Sequence, residues 1–141
     1  MSLGQRSHQS IISGIGNKQQ GLAELKHNYH IDSTTKVLGA GAFGKVFLTT
    51  NKFDTSLKVA IKVLDKEKMG ENLENIIDEI ATLHTLDHPN IVKYYETYND
   101  CKKIYLVMEY VTGMPLYEKI SKLGDQHFSE KQAAHYMKKL F

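Results

Sequence analysis

Up to about residue 25 the apolar side chains come in ones and twos (Ile11, Ile12, Ile15) among Ser, Gly, Gln and Asn, and they keep no period. So few apolar contacts do not offset the entropy of ordering a chain. Residues 1–28 are therefore expected to form a flexible leader, with a short docking helix near 20–26 as the alternative. From residue 29 the pattern changes to strands. Segments 29–38 and 45–50 flank a glycine-rich connection, with Val46 and Leu48 at period two. Segment 57–64 alternates as Leu57, Val59, Ile61 and Val63, with Ala60 and Lys62 between them. Two more β-rich runs, 91–98 and 103–108, are joined by Asn99-Asp100-Cys101-Lys102, a connector with turn chemistry and hairpin length. Five strands with mostly short links predict an antiparallel sheet.

One long helix interrupts the strands. Between 72 and 86 the residues Leu73, Ile76, Ile77, Ile80, Leu83 and Leu86 fall at helical spacing. Asn72 is the expected N-cap, Glu74 suits the positive end of the helix dipole, and Pro89 forbids continuation. A short helix is predicted over 116–123. Ser129-Glu130-Lys131-Gln132 reads as a capping box opening a last helix. That helix is still running at Phe141, so the chain is expected to stop in mid-fold.

A length of 141 residues leaves room for one domain with a modest core. The net charge of +2 is too small to point to nucleic acid or an anionic membrane as partner. Cys101 is the single cysteine, which excludes an internal disulfide and a cysteine zinc site; a reducing, cytoplasmic compartment is expected. No run approaches the roughly 18 apolar residues of a membrane span. No secretory signal is recognisable at the start, and Ser2 in place of glycine excludes N-myristoylation of the chain as written. The histidines are scattered, with no spacing that suits a metal.

The chemistry begins at Gly39-Ala40-Gly41-Ala42-Phe43-Gly44-Lys45-Val46. Three glycines so close together would let the backbone take positive φ and approach a phosphate with no side chain in the way. A dinucleotide fold needs a helix straight after such glycines, and a Walker loop needs Ser or Thr after its lysine. Here Val46 follows and the chain continues as a strand, which leaves a strand–loop–strand flap, or else an ordinary hairpin. Next, Lys62 lies inside the apolar run Val59-Ala60-Ile61-Lys62. It is either an edge lysine with its head in water or a buried charge that must be met. Glu79 lies on the flank of the apolar face of the long helix, where it can meet Lys62 across the core and hold it against nucleotide phosphates.

The ordered combination of Gly-x-Gly-x-x-Gly-x-Val, Val-Ala-Ile-Lys and a helix with a central Glu resembles the N-terminal lobe of a eukaryotic-type serine/threonine protein kinase. Leu86-Asp87-His88-Pro89-Asn90-Ile91 is similar to the junction between helix C and strand 4 of that family. The segment Ile104-Tyr105-Leu106-Val107-Met108-Glu109-Tyr110-Val111 resembles strand 5 running into the hinge. Phe128-Ser129-Glu130-Lys131-Gln132-Ala133-Ala134 looks like the start of helix E in the calcium/calmodulin-dependent group, most like the calcium-dependent kinases of plants and protozoan parasites. The resemblance covers about 29–141 and implies an α+β fold: a five-stranded antiparallel sheet with helix C, then hinge, helix D and the start of helix E, with the C-lobe absent.

The resemblance also implies roles. Gly39, Ala40, Gly41, Ala42, Phe43 and Gly44 would fold over the triphosphate of ATP. Lys62 would pair with its α- and β-phosphates, oriented by Glu79. Val46 and Ala60 would lie above adenine and Leu116 below it. Glu109 C=O and Val111 N–H would bond adenine, with Met108 as gatekeeper. Leu83 and Tyr94 would belong to a hydrophobic spine or simply to the core. Two departures qualify this. Gly113-Met114-Pro115-Leu116 lacks the acid that many such kinases carry after the hinge. The sequence also contains no His-Arg-Asp and no Asp-Phe-Gly, so the catalytic base and the Mg ligands are expected outside this chain, which alone should be inactive. Calcium control, for want of an EF-hand loop, is expected downstream. Truncation is expected to expose the last helix and favour self-association. The rival expectation is a lobe that serves as a binding or scaffold module without turnover; retention of Lys62, Glu79 and the three glycines favours the enzyme.

Overall fold

The computed structural model describes residues 21–124 and 127–141. Most of the expected leader, 1–20, lies outside the described residues. Its end does not: Gly21–Asn28 is a helix, α1. The expectation of a flexible leader to residue 28 is corrected there, and the short helix near 20–26 is what forms. The reason lies far along the chain. Leu25 and Tyr29 are 1% and 3% exposed, packed with Val59, Ile61, Tyr98, Tyr105 and Val107. Each large side chain buried in this way contributes roughly 1.5–3 kcal/mol, which offsets the cost of ordering a segment with weak amphipathic character of its own.

The strands are β1 Lys36–Gly41, β2 Gly44–Thr50, β3 Lys58–Asp65, β4 Tyr94–Asn99 and β5 Lys103–Glu109. They form one five-stranded sheet in the order β1-β2-β3-β5-β4, antiparallel at every pairing. The first strand begins later than the alternation suggested. Tyr29 makes only an isolated bridge to Asn51. Beyond it the Asp32 carboxylate accepts from Thr34 N–H at 2.7 Å, and Thr35 N–H donates to Asp32 C=O. Such local side-chain bonds offer the backbone a turn in place of a ladder. The β4–β5 connection is the expected tight hairpin, held by Asp100, whose carboxylate accepts from Lys102 N–H, Lys103 N–H and the Tyr105 hydroxyl, each at 2.8 Å.

β3 runs straight into a helical stretch: α2 Lys66–Met69, a 3-10 turn Gly70–Asn72, then α3 Leu73–Thr85. Asn72 makes no side-chain cap bond, contrary to the sequence expectation, because its backbone is already helical. The capping residue is Asp65, whose side chain accepts from Glu67 N–H and Lys68 N–H. α4 is Leu116–Ser121 and α5 is Glu130–Leu140. The capping box at Ser129 and Gln132 forms in both directions.

Side chains directly opposed in a ladder share a face. Val46, Lys62 and Leu106 therefore lie on one face, with Leu48, Ala60 and Met108 a step along it. The opposite face carries Phe47, Ile61 and Val107, and α1 covers it. The Lys62 face is covered at one end by α2 and α3, where Leu64, Met69, Ile80, Ile104 and Leu106 form a second core.

Candidate functional site

Between the Lys62 face and α3 lies a cavity of about 500 Å³ lined by residues of the flap, β3, α3 and β5. Lys62 supplies its one cation and Glu79 its one carboxylate. Both positions follow from local rules. Strand alternation turns Lys62 to the same side as Ala60 and Leu64. On α3, Glu79 follows Asn75 and Ile76 by one turn and precedes Leu83 by one, and all four line the cavity.

The expected ion pair is not made. Among the described residues neither Lys62 nor Glu79 has a hydrogen bond or ion-pair partner. The helix is seated by Ile80, its one fully buried residue, against Leu64 and Ile104 at the end of the sheet. Lys62 and Glu79 are both exposed and keep their water. A pair in such a setting gains only about 0–1 kcal/mol, too little to draw the helix inward.

The flap is built by the β1–β2 hairpin. Phe43 at its tip lines the cavity, and its carbonyl accepts from Asp65 N–H at 2.9 Å, which extends the β2–β3 pairing by one step. The three glycines are not equivalent, and none takes positive φ: among the described residues only Gly70, Gly113 and Gly124 do. The backbone-conformation argument for the flap is thus corrected. A Cβ on Gly39 or Gly41 would meet nothing within 4 Å, whereas one on Gly44 would fall 1.7 Å from Val63 O. Gly44 is needed for packing on β3; Gly39, opposite Val46, and Gly41 leave an open surface on the Lys62 face.

Of the remaining expected residues, Met108 lines the cavity. Val46 is half-buried and Ala60 buried on the same sheet face. Glu109 ends β5. Val111 and Leu116 are exposed beyond it, and Gly113 between them has φ of 122°, a conformation that favours glycine. Leu83 reaches the cavity. Tyr94 packs against the second core with its ring edge-on to His84 at 4.2 Å, and burial pushes its phenol well above the ordinary range. Asn72, Asn75, Ile76 and Leu106 line the cavity as well, though none of them was expected from the sequence as a site residue. Helical spacing from Glu79 points to Asn72, Asn75 and Ile76, and the β3–β5 register to Leu106. A cavity with one unpaired cation, one carboxylate and an open glycine flap is chemically suited to an anionic ligand held against Lys62. Among the described residues no helix is long and apolar enough to cross a membrane.

Residues 33–141 match the protein kinase domain family. The chain is 41% identical over 118 residues to "Calcium-dependent protein kinase 5" of Plasmodium berghei, covering 84% of this chain and 20% of that protein. It is 39% identical over 104 residues to "Calcium/calmodulin-dependent protein kinase type 1" of Macrobrachium nipponense, covering 74% of this chain and 30% of that protein. It is 36% identical over 126 residues to "CBL-interacting serine/threonine-protein kinase 3" of Arabidopsis thaliana, covering 88% and 27% respectively. The chain thus spans about a fifth to a third of the length of these relatives.

Proposed function

The chain belongs to the protein kinase family, and on that premise we propose that residues 29–141 are the ATP-binding part of a serine/threonine kinase that transfers the γ-phosphate of ATP to a protein substrate. The observation that carries this reading is the meeting of Lys62, Glu79 and the flap residue Phe43 on one cavity, with Lys62 left without a partner of its own. In this reading Lys62 holds the α- and β-phosphates and Glu79 steadies its ammonium. Gly39, Ala40, Gly41, Ala42, Phe43 and Gly44 cover the phosphates with main-chain N–H groups. Val46 and Ala60 face adenine from above and Leu116 from below. Glu109 C=O and Val111 N–H bond its edge beside Met108. ATP binding calls on the chain as it stands only for positioning and charge. Mg²⁺, which neutralises phosphate charge during transfer, is assigned to ligands outside these residues, as is the catalytic base.

The calcium-dependent relatives support calcium control of the intact protein, and the single exposed cysteine, Cys101, suits a cytoplasmic location. The test is phosphoryl transfer by the intact protein with Mg-ATP and a basic peptide, with and without calcium. Lys62→Met should abolish transfer, while its melting temperature stays close to that of the parent because Lys62 supports no other group. Residues 1–141 alone should bind ATP weakly and transfer nothing. An intact protein that binds ATP and never turns over would establish the scaffold reading instead.

A further inference from the structure

We propose that the carboxylate of Glu109 is a positioning group that fixes the main chain offered to adenine; this deepens the reading above and rests on it. β5 ends at Glu109, and the residue is held from two sides. On one it pairs with Val59 of β3. On the other, its N–H donates to Lys93 C=O at 2.8 Å, and Lys93 N–H donates to its Oε2 at 3.0 Å. The second bond replaces a missing rung. Between Tyr94 and Glu96 the β4–β5 register shifts, so the ladder cannot continue regularly toward Lys93. The Glu109 side chain reaches across and supplies the acceptor itself.

The direction of that side chain excludes a direct role on the ligand. Val59 is opposite Glu109, and Val59 is packed in the core under α1, so the carboxylate is on the face turned away from the Lys62 cavity. Its effect must pass through the backbone. Residues 110–115 beyond it form neither strand nor helix, and Glu109 is the last residue anchored before them. Tying both its N–H and its side chain to Lys93 fixes the peptide plane before Glu109 and its Cα, and leaves the one torsion ψ to aim the Glu109 carbonyl in the next plane. A carbonyl aimed in this way accepts from the exocyclic amine of adenine, and guanine offers an oxygen at that place.

The experiment measures ATP and GTP affinity of the intact protein, its Glu109→Ala and Glu109→Gln variants, and Lys62→Met as reference. One modest hydrogen bond lost corresponds to about a twofold to tenfold change. Glu109→Ala should weaken ATP binding by that factor and shrink the ATP-over-GTP preference with it. Glu109→Gln, which keeps an acceptor for Lys93 N–H, should restore most of both. A purely stabilising side chain would lower the melting temperature and leave the nucleotide preference alone, and that outcome overturns the proposal. So does Glu109→Ala with unchanged affinity and preference, provided the parent binds ATP and Lys62→Met binds it poorly. A parent that binds neither nucleotide defeats the kinase reading itself and this proposal with it.

Discussion

A methyl group placed on Gly44 would lie 1.7 Å from the carbonyl oxygen of Val63. No rotamer relieves this overlap, because both partners are backbone. Gly44→Ala must push β2 away from β3 and should cost at least about 1–3 kcal/mol, as overpacking does. Gly41→Ala meets open space at ordinary φ and should leave stability equal or raise it by up to about 1 kcal/mol. Urea unfolding of the two variants separates them; equal midpoints would contradict the packing role of Gly44.

Leu25 lies outside the residues matched by the family and inside the core. Leu25→Ala should cost about 2–5 kcal/mol, the usual range for a buried leucine. Tyr29→Phe should cost about 1 kcal/mol, because it removes only the hydroxyl that donates to the Glu96 carboxylate. Amide exchange on the unmodified chain gives an independent check. Residues 25–29 should be protected to a degree comparable with β3 and β5, and exchange at unfolded rates there would show α1 to be unimportant.

Asp100 makes a pH prediction. Burial acts against its charge, but the N–H groups of Lys102 and Lys103, the Tyr105 hydroxyl and the Lys66 ammonium together hold its carboxyl below the ordinary 3.8. A carboxylate whose pKa is lowered by folding stabilises the native state above its unfolded value, and this is lost as pH falls through the folded one. The parent should therefore lose stability below about pH 4. Asp100→Asn, which keeps the turn acceptor, should show a shallower acid slope. Unfolding midpoints between neutral and strongly acid pH test it, and identical slopes count against it.

The last helix makes a prediction about association. Met137, Leu140 and Phe141 are 49%, 65% and 98% exposed. On the inner side of α5, Tyr136 packs on Phe128 and accepts from the Lys119 ammonium at 2.6 Å. The helix is thus held on one side and apolar on the other, and such patches usually find a partner. The 141-residue chain should self-associate in light scattering across a concentration series. Met137→Lys with Leu140→Lys should return it to monomer, and a parent that is monomeric throughout would refute the idea.

What could be read from the sequence was what short-range rules decide. The capping box at Ser129 and Gln132 involves four consecutive residues, and the alternation of β3 placed Lys62 and Ala60 on one face. The spacing of α3 turned Glu79 toward the sheet. Apart from the ordinary φ of the flap glycines, the failures below involve partners remote in sequence or competing local structure. α1 carries few apolar residues, and nothing near it shows that Tyr98, Tyr105 and Val107 wait to cover Leu25. The turn at Asp32 competes with a plausible strand. Asn72 looks like a cap only if the helix starts there, whereas β3 passes directly into helical structure at Asp65. The separation of Lys62 from Glu79 depends on how Ile80 seats the helix, which no periodicity encodes.

The placement of α1 also has a consequence for synthesis. Asn28 donates to the Tyr98 hydroxyl at 2.7 Å across 70 residues of chain, and that pairing closes only when β4 has left the ribosome. At about 5–20 residues per second the helix waits roughly 4–14 s after it is made. During that interval Leu25 and Tyr29 lack Tyr98, Tyr105 and Val107 of their cluster, so the nascent chain presents an apolar stretch that a ribosome-associated chaperone can hold. A helix made well before β4 is buried only once that strand has followed it.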